Sequence, residues 1–113
     1  MSRYVIEGVL RDLADGKDVI ITGPTYREAE ELHRQIVAAA DEEEWQRIFR
    51  ANGLASATHF GGGTVQPITS TPSLRGRSAD VLLVLQARLL SQEQRRELRT
   101  AAVALGAEVQ EVA

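Results

Sequence analysis

Residues 18–40 limit the fold of this chain more than any other part of the sequence. They begin with the β-branched run VII at 19–21, which is typical of a buried strand. Gly23 and Pro24 predict a turn, and Thr25 lies three residues before Glu28, at the spacing of a helix capping box. The apolar residues that follow recur at the period of a helix and predict one over residues 26–40. They are Ala29, Leu32, Ile36, Val37 and Ala40.

The predicted strand is apolar on both of its faces, so both faces must be covered in the fold. A second run of the same kind, VLLVL at residues 81–85, is the other candidate for a central strand. We therefore predict one α/β domain over residues 1–113, built as three α/β/α layers around a mainly parallel sheet. The two apolar runs are predicted to be adjacent or near-adjacent strands in the middle of that sheet.

The rest of the first two thirds supplies two more helices and a hairpin. One helix is predicted over residues 3–15. Another is predicted over residues 42–51, where Asp41 would be the cap and where Trp45, Ile48 and Phe49 would form the apolar side. Residues 55–60 and 64–69 predict a β-hairpin around three glycines. Pro67 favours an edge position for the second strand of that hairpin.

The last third continues the same alternation of helix and strand. Residues 70–79 predict a polar loop before the apolar run. Ser91 and Gln94 have the spacing of a second capping box, and Gly106 is placed to end the helix that they begin. Residues 108–112 alternate between polar and apolar, which predicts a terminal strand.

The composition excludes several kinds of site. The chain has 113 residues, which suits one domain, and a net charge of −3, which argues against a polyanion-binding protein as a whole. It has no cysteine, so disulfides, thiolate catalysis and zinc–thiolate sites are excluded. No apolar run could span a membrane, and the acidic N-terminal region does not resemble a secretory signal. Lys17 is the only lysine among many arginines, which indicates a GC-rich coding genome.

Three motifs could carry chemistry, and a structural role is favoured for each. The GGGT at residues 61–64 could be a phosphate loop, but it lacks a lysine and a following helix, so a hairpin turn is favoured. The three glutamates at 42–44 could bind a metal, but neighbouring helix residues do not face one point, so a solvated helix start is favoured. His33 and His59 could approach each other, but no carboxylate or nucleophile is placed beside them. A hydrolase has no support either, because no histidine lies near Ser70, Ser73 or Ser78 in the sequence.

Charge is distributed unevenly along the chain. Residues 74–99 contain six arginines against three acids, and residues 27–50 contain seven acids against four arginines. An ordinary mixed surface is the favoured interpretation. The alternative is a dipolar molecule with an arginine face that binds phosphate or an acidic partner. The arginines of that face would be Arg75, Arg77, Arg88, Arg95, Arg96 and Arg99.

Two stretches resemble the ATPase core of phage terminase large subunits. VIITGPTYREAEEL, at residues 19–32, is similar to the second conserved strand of that family, which runs through a Pro-Thr turn into a helix. It is more loosely similar to helicase motif Ia. GGGTVQPITSTPSLRGRSADVLLVL, at residues 61–85, is similar to the stretch in which a hairpin leads through a Leu-Arg-Gly loop into the Walker B strand. Order and spacing agree across residues 1–90, and the resemblance implies a P-loop NTPase-like fold.

The sequence departs from that family at both of its catalytic motifs. The family holds phosphate in a loop of the pattern GxxxxGK followed by Ser or Thr, and no such segment is present. The chain begins at Met1 about where the helix after that loop would begin. The Walker B strand of the family ends in Asp-Glu, whereas the run at 81–85 continues into Gln86 and Ala87. An amide and a methyl group cannot supply that charge, so we expect a degenerate ATPase fold with no catalytic residue, metal or cofactor.

These features together predict a non-enzymatic binding protein. We expect a phage or prophage of a GC-rich bacterium to encode it, and we expect it to act in the cytoplasm of the bacterial host. The expected partner is a host or phage protein, and no membrane is involved. Self-association into a homo-oligomer is left open.

Two other functions are compatible with the same residues. The first is a nucleic-acid-binding accessory protein, because the resemblance places the Thr25 turn near DNA and a helix N-terminus suits a phosphate. Tyr26 is the only aromatic residue beside that turn, and Arg27 follows it. These three residues and the arginine face are the candidate nucleic-acid or partner-binding residues. The second alternative is an ATPase subunit whose phosphate loop is supplied by another chain.

Overall fold

The computed structural model describes residues 3–50, 55–68 and 78–112. Its helices are α1 (Arg3–Ala14), α2 (Tyr26–Ala39) and α3 (Gln92–Leu105). Its strands are β1 (Val19–Thr22), β2 (Trp45–Phe49), β3 (Ser56–His59), β4 (Thr64–Pro67), β5 (Val81–Leu85) and β6 (Glu108–Val112). Short 3-10 helices at Glu42–Glu44 and Ala87–Leu89 precede β2 and α3.

The strands form one mixed, mainly parallel sheet in the order β2-β3-β4-β1-β5-β6. β1 pairs in parallel with β4 and β5, and β6 pairs in parallel with β5. The β3–β4 hairpin is antiparallel, and β2 adds to it in the antiparallel sense. Val19 is aligned with Val81, so the two apolar runs are adjacent central strands. The predicted fold class and the predicted pair of central strands are confirmed.

The sheet separates two apolar clusters, because successive residues of a strand point to opposite faces. Val19, Ile21 and Leu83 pack on one face with α1 and α2. Ile20 and Leu82 pack on the other face with α3. All five residues of β5 are buried. The predicted three-layer arrangement is therefore confirmed.

The ends of α3 follow the sequence prediction closely. The Gln94 backbone N–H donates to Ser91 Oγ at 3.1 Å, and the Ser91 backbone N–H donates to Gln94 Oε1 at 2.8 Å. This reciprocal pair is the predicted capping box. Gly106 adopts φ 74° and ends the helix in the left-handed conformation that glycine accepts without strain.

The helix predicted over residues 42–51 is wrong, because the segment is a 3-10 turn followed by strand β2. A β-bulge between Trp45 and Arg47 explains the error. Trp45 is aligned with His59 and Ile48 with Ala57, so the bulge places two residues three positions apart on the same face of the sheet. Apolar residues three positions apart in the sequence are also what one face of a helix would show. Pairing with β3, which local periodicity does not reveal, decides the structure.

The edge position predicted from Pro67 is also wrong. β4 lies between β3 and β1, and Pro67 is aligned with Ile21. In the β3–β4 pair, Ala57 is aligned with Val65 and Thr58 with Thr64, so Pro67 lies beyond the paired residues. The proline therefore removes no hydrogen bond from that pairing. Most of the predicted polar loop, residues 70–77, lies outside the described residues.

Candidate binding crevice at the carboxyl edge of the sheet

The carboxyl end of β5 forms a crevice with α2. In open α/β sheets, ligands bind outside the carboxyl ends of the parallel strands. The crevice has a volume of about 500 Å³. Its lining residues are Arg27, Glu28, Glu31, Leu32, Arg34, Gln35, Leu85 and Gln86. It includes the end of the apolar run at 81–85 and the residue that follows it, Gln86.

Gln86 closes the central strand in an unusual backbone conformation. Its φ of 47° and ψ of 46° are left-handed, and no other non-glycine residue in the described ranges has a positive φ. Such a conformation costs on the order of 1 kcal/mol or more for a residue with a Cβ. The Gln86 N–H donates to the Val112 carbonyl at 2.9 Å, and its carbonyl accepts from Leu89 N–H at 2.9 Å. These bonds turn the chain from β5 into the 3-10 helix that contains Ala87.

Glu28 brings a carboxylate to the same crevice. The Glu28 N–H donates to Thr25 Oγ1 at 3.4 Å, which is one half of the predicted capping box. Within the described residues, the Glu28 side chain does not form the reciprocal half, and its Oε2 lies near Gly23 instead. A Cβ at Gly23 would lie 3.8 Å from Glu28 Oε2 and 3.2 Å from Leu85 Cβ. Glu28 Oε2 is buried and has no hydrogen-bond partner within the described ranges.

Thr25, Tyr26 and Arg27 form the turn at the start of α2, as predicted. Thr25 and Arg27 are exposed. Tyr26 is half-buried, and its hydroxyl is buried without a hydrogen-bond partner in the described part of the chain. Its ring is therefore only partly available for stacking on a nucleic-acid base.

The structure describes four of the six arginines of the predicted face. Arg95 is half-buried and is held by two contacts, since its Nη2 donates to the Ala87 carbonyl at 2.7 Å and its Nη1 lies 3.9 Å from Glu111 Oε1. Arg88 is exposed and follows β5, at the same edge as Arg27. Arg96 and Arg99 are exposed on α3, which covers the opposite face of the sheet from α2. Arg75 and Arg77 lie outside the described residues.

Lys17 lies at the other end of β1, away from the crevice. Its Nζ is 3.8 Å from Asp12 Oδ1. The nearby carboxylates of Asp18 and Asp80 hold the amino edge of the sheet together. Asp18 Oδ1 accepts from Thr64 Oγ1 at 2.8 Å, and Asp80 Oδ2 accepts from the Asp18 N–H at 2.8 Å. The only lysine of the chain and these two aspartates are therefore structural in this arrangement.

The structural role predicted for His59 has a clear basis. Its Nδ1 accepts from the Gly61 N–H at 2.9 Å, which supports the hairpin turn. Its ring meets the ring of Trp45 edge-on, with centroids 5.7 Å apart. The described residues contain no group of three or more His, Asp or Glu that could hold a metal ion. None of the helices in those ranges is long and apolar enough to cross a membrane.

Two features of the crevice were missed by sequence reasoning. The capping-box spacing predicts a capping role for Glu28 and gives no sign that its Oε2 is buried in the fold. The left-handed conformation of Gln86 has no signal in the sequence, because glutamine does not favour it. A cavity between α2 and β2 was also missed, because residues 42–51 were predicted to be a helix.

Solved structures of a large terminase share this fold. They are two crystal forms of the large terminase from a thermophilic bacteriophage, one of them in complex with ADP. The ADP complex has a TM-score of 0.61 and 11% identity, and the match covers 92% of this chain and 28% of the terminase. The other form has a TM-score of 0.65 and 11% identity, and the match covers 94% of this chain and 29% of the terminase.

The chain therefore has a terminase-like α/β fold and spans less than a third of the length of those terminases. No family model matches the sequence. No curated protein matches it either.

Proposed function

We propose that this chain is a non-catalytic binding module with a degenerate terminase-like ATPase fold, and that it acts through a protein partner. The proposal includes a phage or prophage origin, supported by the phage source of the proteins that share the fold. It places the module in the cytoplasm of the bacterial host.

The end of β5 carries this proposal. Hydrolysis of ATP needs carboxylates that hold Mg²⁺ and orient the attacking water. The strand instead ends in Gln86, whose side chain is neutral, and Ala87, whose methyl group is buried. Glu28 supplies one carboxylate to the crevice from α2, but one acid does not replace a pair. Lys17, the only candidate for a phosphate-binding lysine in the sequence, lies at the opposite edge.

An uncovered part of the sheet supports a protein partner. Within the described residues, the apolar cluster that packs with α3 on this side of the sheet includes no residue of β2 or β3. Phe49 on this face is 42% exposed, and the Arg47 guanidinium carbon lies 6.0 Å from the centre of its ring. Aromatic residues and arginine are enriched in protein interfaces. We infer that the partner contacts this face.

Affinity capture from bacterial host lysate tests the partner, with nuclease treatment in a parallel sample. We expect a protein that is retained after nuclease treatment and lost when Phe49→Ser is used as the bait. Phe60→Ser is the matched control, because Phe60 is also exposed but lies in the hairpin turn. Loss of all retained protein after nuclease treatment would contradict a direct protein partner.

A phosphate-release assay tests the proposal that the chain does not hydrolyse ATP. We expect no release from ATP above the rate without protein, both for the wild type and for Gln86→Ala. Turnover by the wild type that Gln86→Ala abolishes would overturn the proposal. It would then favour the alternative of an ATPase subunit completed by another chain, with Glu28 as the acid in the crevice.

Nucleic-acid binding is the second candidate, and the exposed arginines favour it. Arg27, Arg88, Arg96 and Arg99 form no ion pair within the described part of the chain. Fluorescence anisotropy with single- and double-stranded DNA and RNA at low salt is the test. Binding should weaken steeply with salt, because released counterions drive it. Replacing Arg75 and Arg77 together should reduce that salt slope. No binding at low salt would remove this candidate.

A further inference from the structure

Strand β6 leaves one edge of the sheet open, because it pairs only with β5 among the described strands. The backbone groups of a strand point alternately to its two edges. The Glu108 N–H donates to the Asp80 carbonyl at 2.9 Å, so Glu108 points its backbone groups toward β5. Val109 and Glu111, at the odd positions, therefore point theirs to the outer edge. A second strand would find a donor and an acceptor at each of these two residues.

β6 lacks most of the features that keep edge strands from pairing. Natural edges are protected by prolines, bulges, charges or very short strands. β2, at the other edge, carries a bulge between Trp45 and Arg47. β6 has five residues, EVQEV, in regular register with β5. Its two glutamates are the remaining protection, so a strand that pairs with β6 must keep acids away from them.

A second copy of β6 meets this condition in one register. An antiparallel pair centred on Gln110 places Val109 opposite Glu111 of the second copy, and Glu108 opposite Val112 of the second copy. No acid then faces an acid, and both outward-pointing residues exchange hydrogen bonds with the second copy. A register centred on Glu111 would place two glutamates directly opposite each other, which is destabilising. The pairing uses the same surface on both copies, so it closes into a dimer.

Helix α3 supplies positive charge beside this edge. Val109 and Glu111 are aligned with residues of β5 that pack toward α3. Both line a groove of about 90 Å³ together with Arg95 and Arg99 of α3. Arg95 Nη1 lies 3.9 Å from Glu111 Oε1 of its own chain, whereas Arg99 forms no ion pair within the described ranges. Because Glu111 of the second copy would stand opposite Val109, it would lie beside Arg99.

The acids of α3 lie on another side of the helix. At about 100° per residue, Glu93 and Glu97 are about 120° and 160° around the helix from Arg99. Arg96 is exposed, is about 60° from Arg99, and does not line the groove. The charge next to β6 is therefore positive on the helix and negative on the strand. A two-fold axis at Gln110 brings each charge of one copy toward its opposite in the other.

We propose that β6 is a homodimer interface, in which two copies continue the sheet across a two-fold axis at Gln110. Arg99 of each copy pairs with Glu111 of the other, and Val109, which is 39% exposed in one chain, is covered. A pair of short strands makes a small interface, so we expect a Kd on the order of 10 µM. β6 and β2 are at opposite edges of the sheet, so the proposal is independent of the partner inferred to contact β2 and of the absence of catalysis.

Sedimentation velocity over a concentration series measures the dimer. Val109→Pro removes an outward N–H and no hydrogen bond to β5, so it should leave the fold intact and abolish the dimer. Val109→Thr is the matched control, because it keeps the N–H and the branched shape, and it should still form the dimer. Circular dichroism checks the fold of each variant.

Charge reversal tests the predicted ion pair. Arg99→Glu and Glu111→Arg should each weaken the dimer about tenfold, because each places like charges together twice. Arg96→Glu makes the same change of charge outside the groove and should leave the Kd unchanged. A mixture of Arg99→Glu chains with Glu111→Arg chains should form a heterodimer, because both contacts then join opposite charges. Native mass spectrometry distinguishes this heterodimer from the two homodimers by mass.

Three results would overturn the proposal. A wild type that stays monomeric up to about 1 mM would leave this edge to a strand of another protein. Equal effects of Arg99→Glu and Arg96→Glu would place the interface elsewhere, and this comparison decides the matter even where Val109→Pro does not fold. Association that returns in the Arg99→Glu, Glu111→Arg double variant but not in the mixture would show that the two residues pair within one chain.

Discussion

The centre and the flank of the sheet are stabilised in different ways. β1 and β5 in the centre are apolar on both faces, and helices cover both of them. At the flank, β2 packs on α2 through Trp45 and Ile48, while Phe49 on its other face stays exposed. The central strands are thus specified by their own composition. The flanking strand depends on its neighbours, and this is where the uncovered face and the cavity are found.

Core truncation should show this contrast most strongly. We expect Leu83→Ala in β5 to lower the free energy of unfolding by about 3–4 kcal/mol, since Leu83 is buried in the main cluster and its loss leaves a void. Ile48→Ala in β2 should cost about 1–2 kcal/mol, because Ile48 is only half-buried. Urea denaturation measures both values. Equal costs would show that the flank is packed as tightly as the centre.

Variants in the hairpin turn test how tightly the flank of the sheet packs against α1. A Cβ at Gly63 would lie 2.5 Å from both Leu13 Cα and the Lys17 carbonyl oxygen, so Gly63→Ala should cost about 2–3 kcal/mol. Gly62→Ala is the matched control. A Cβ at Gly62 would make only an ordinary contact, at 3.9 Å from Gly16 Cα, but its φ is 98°, so this variant should cost about 1 kcal/mol through backbone strain. A Gly63→Ala cost no larger than that of Gly62→Ala would mean that the turn can move away from α1.

His33, which lines the cavity beside β2, should make the free energy of unfolding depend on pH. His33 has a pKa of about 4 in the folded chain and about 6.5 when unfolded, so only the unfolded chain takes up a proton as pH falls through this interval. Stability contributed by this group is therefore lost as pH falls below about 6.5, by about 2 kcal/mol between pH 7 and pH 5. His33→Leu should remove that part of the pH dependence in urea denaturation. An unchanged slope would contradict the buried, neutral state of His33.

The smallest expected effect lies at Gly8 on α1. Gly8 lies inside the helix, and a Cβ there would meet no heavy atom within 4 Å. Gly8→Ala should raise the free energy of unfolding by about 1 kcal/mol, because alanine favours the helix. Thermal unfolding measures the gain. A loss of stability would indicate that another part of the molecule packs over Gly8.

The centre of the fold was predictable because its signals are local. The run at 19–21, the run at 81–85 and the capping box at Ser91 each specify one element within a few residues, and the structure confirms all three. The flank was not predictable in the same way. The bulge in β2 and the position of Pro67 depend on pairing with residues distant in the sequence.

The sequence indicated where the candidate crevice lies but not which charged side chains face it. The resemblance identified Thr25 and the end of the run at 81–85, and both lie at the carboxyl edge. The inward carboxylate of Glu28 and the bonds that hold Arg95 depend on tertiary contacts. Arg75 and Arg77 lie outside the described residues, so the continuous arginine face stays a prediction.

Calorimetric titration with Mg-ATP most directly tests the proposal that this terminase-like fold has no working nucleotide site. Phosphate binding needs backbone amides, a lysine and a metal held by carboxylates, whereas the end of β5 offers Gln86 and Ala87. We predict no saturable heat at millimolar Mg-ATP. Saturable binding in the micromolar range that Glu28→Gln weakens would contradict the claim.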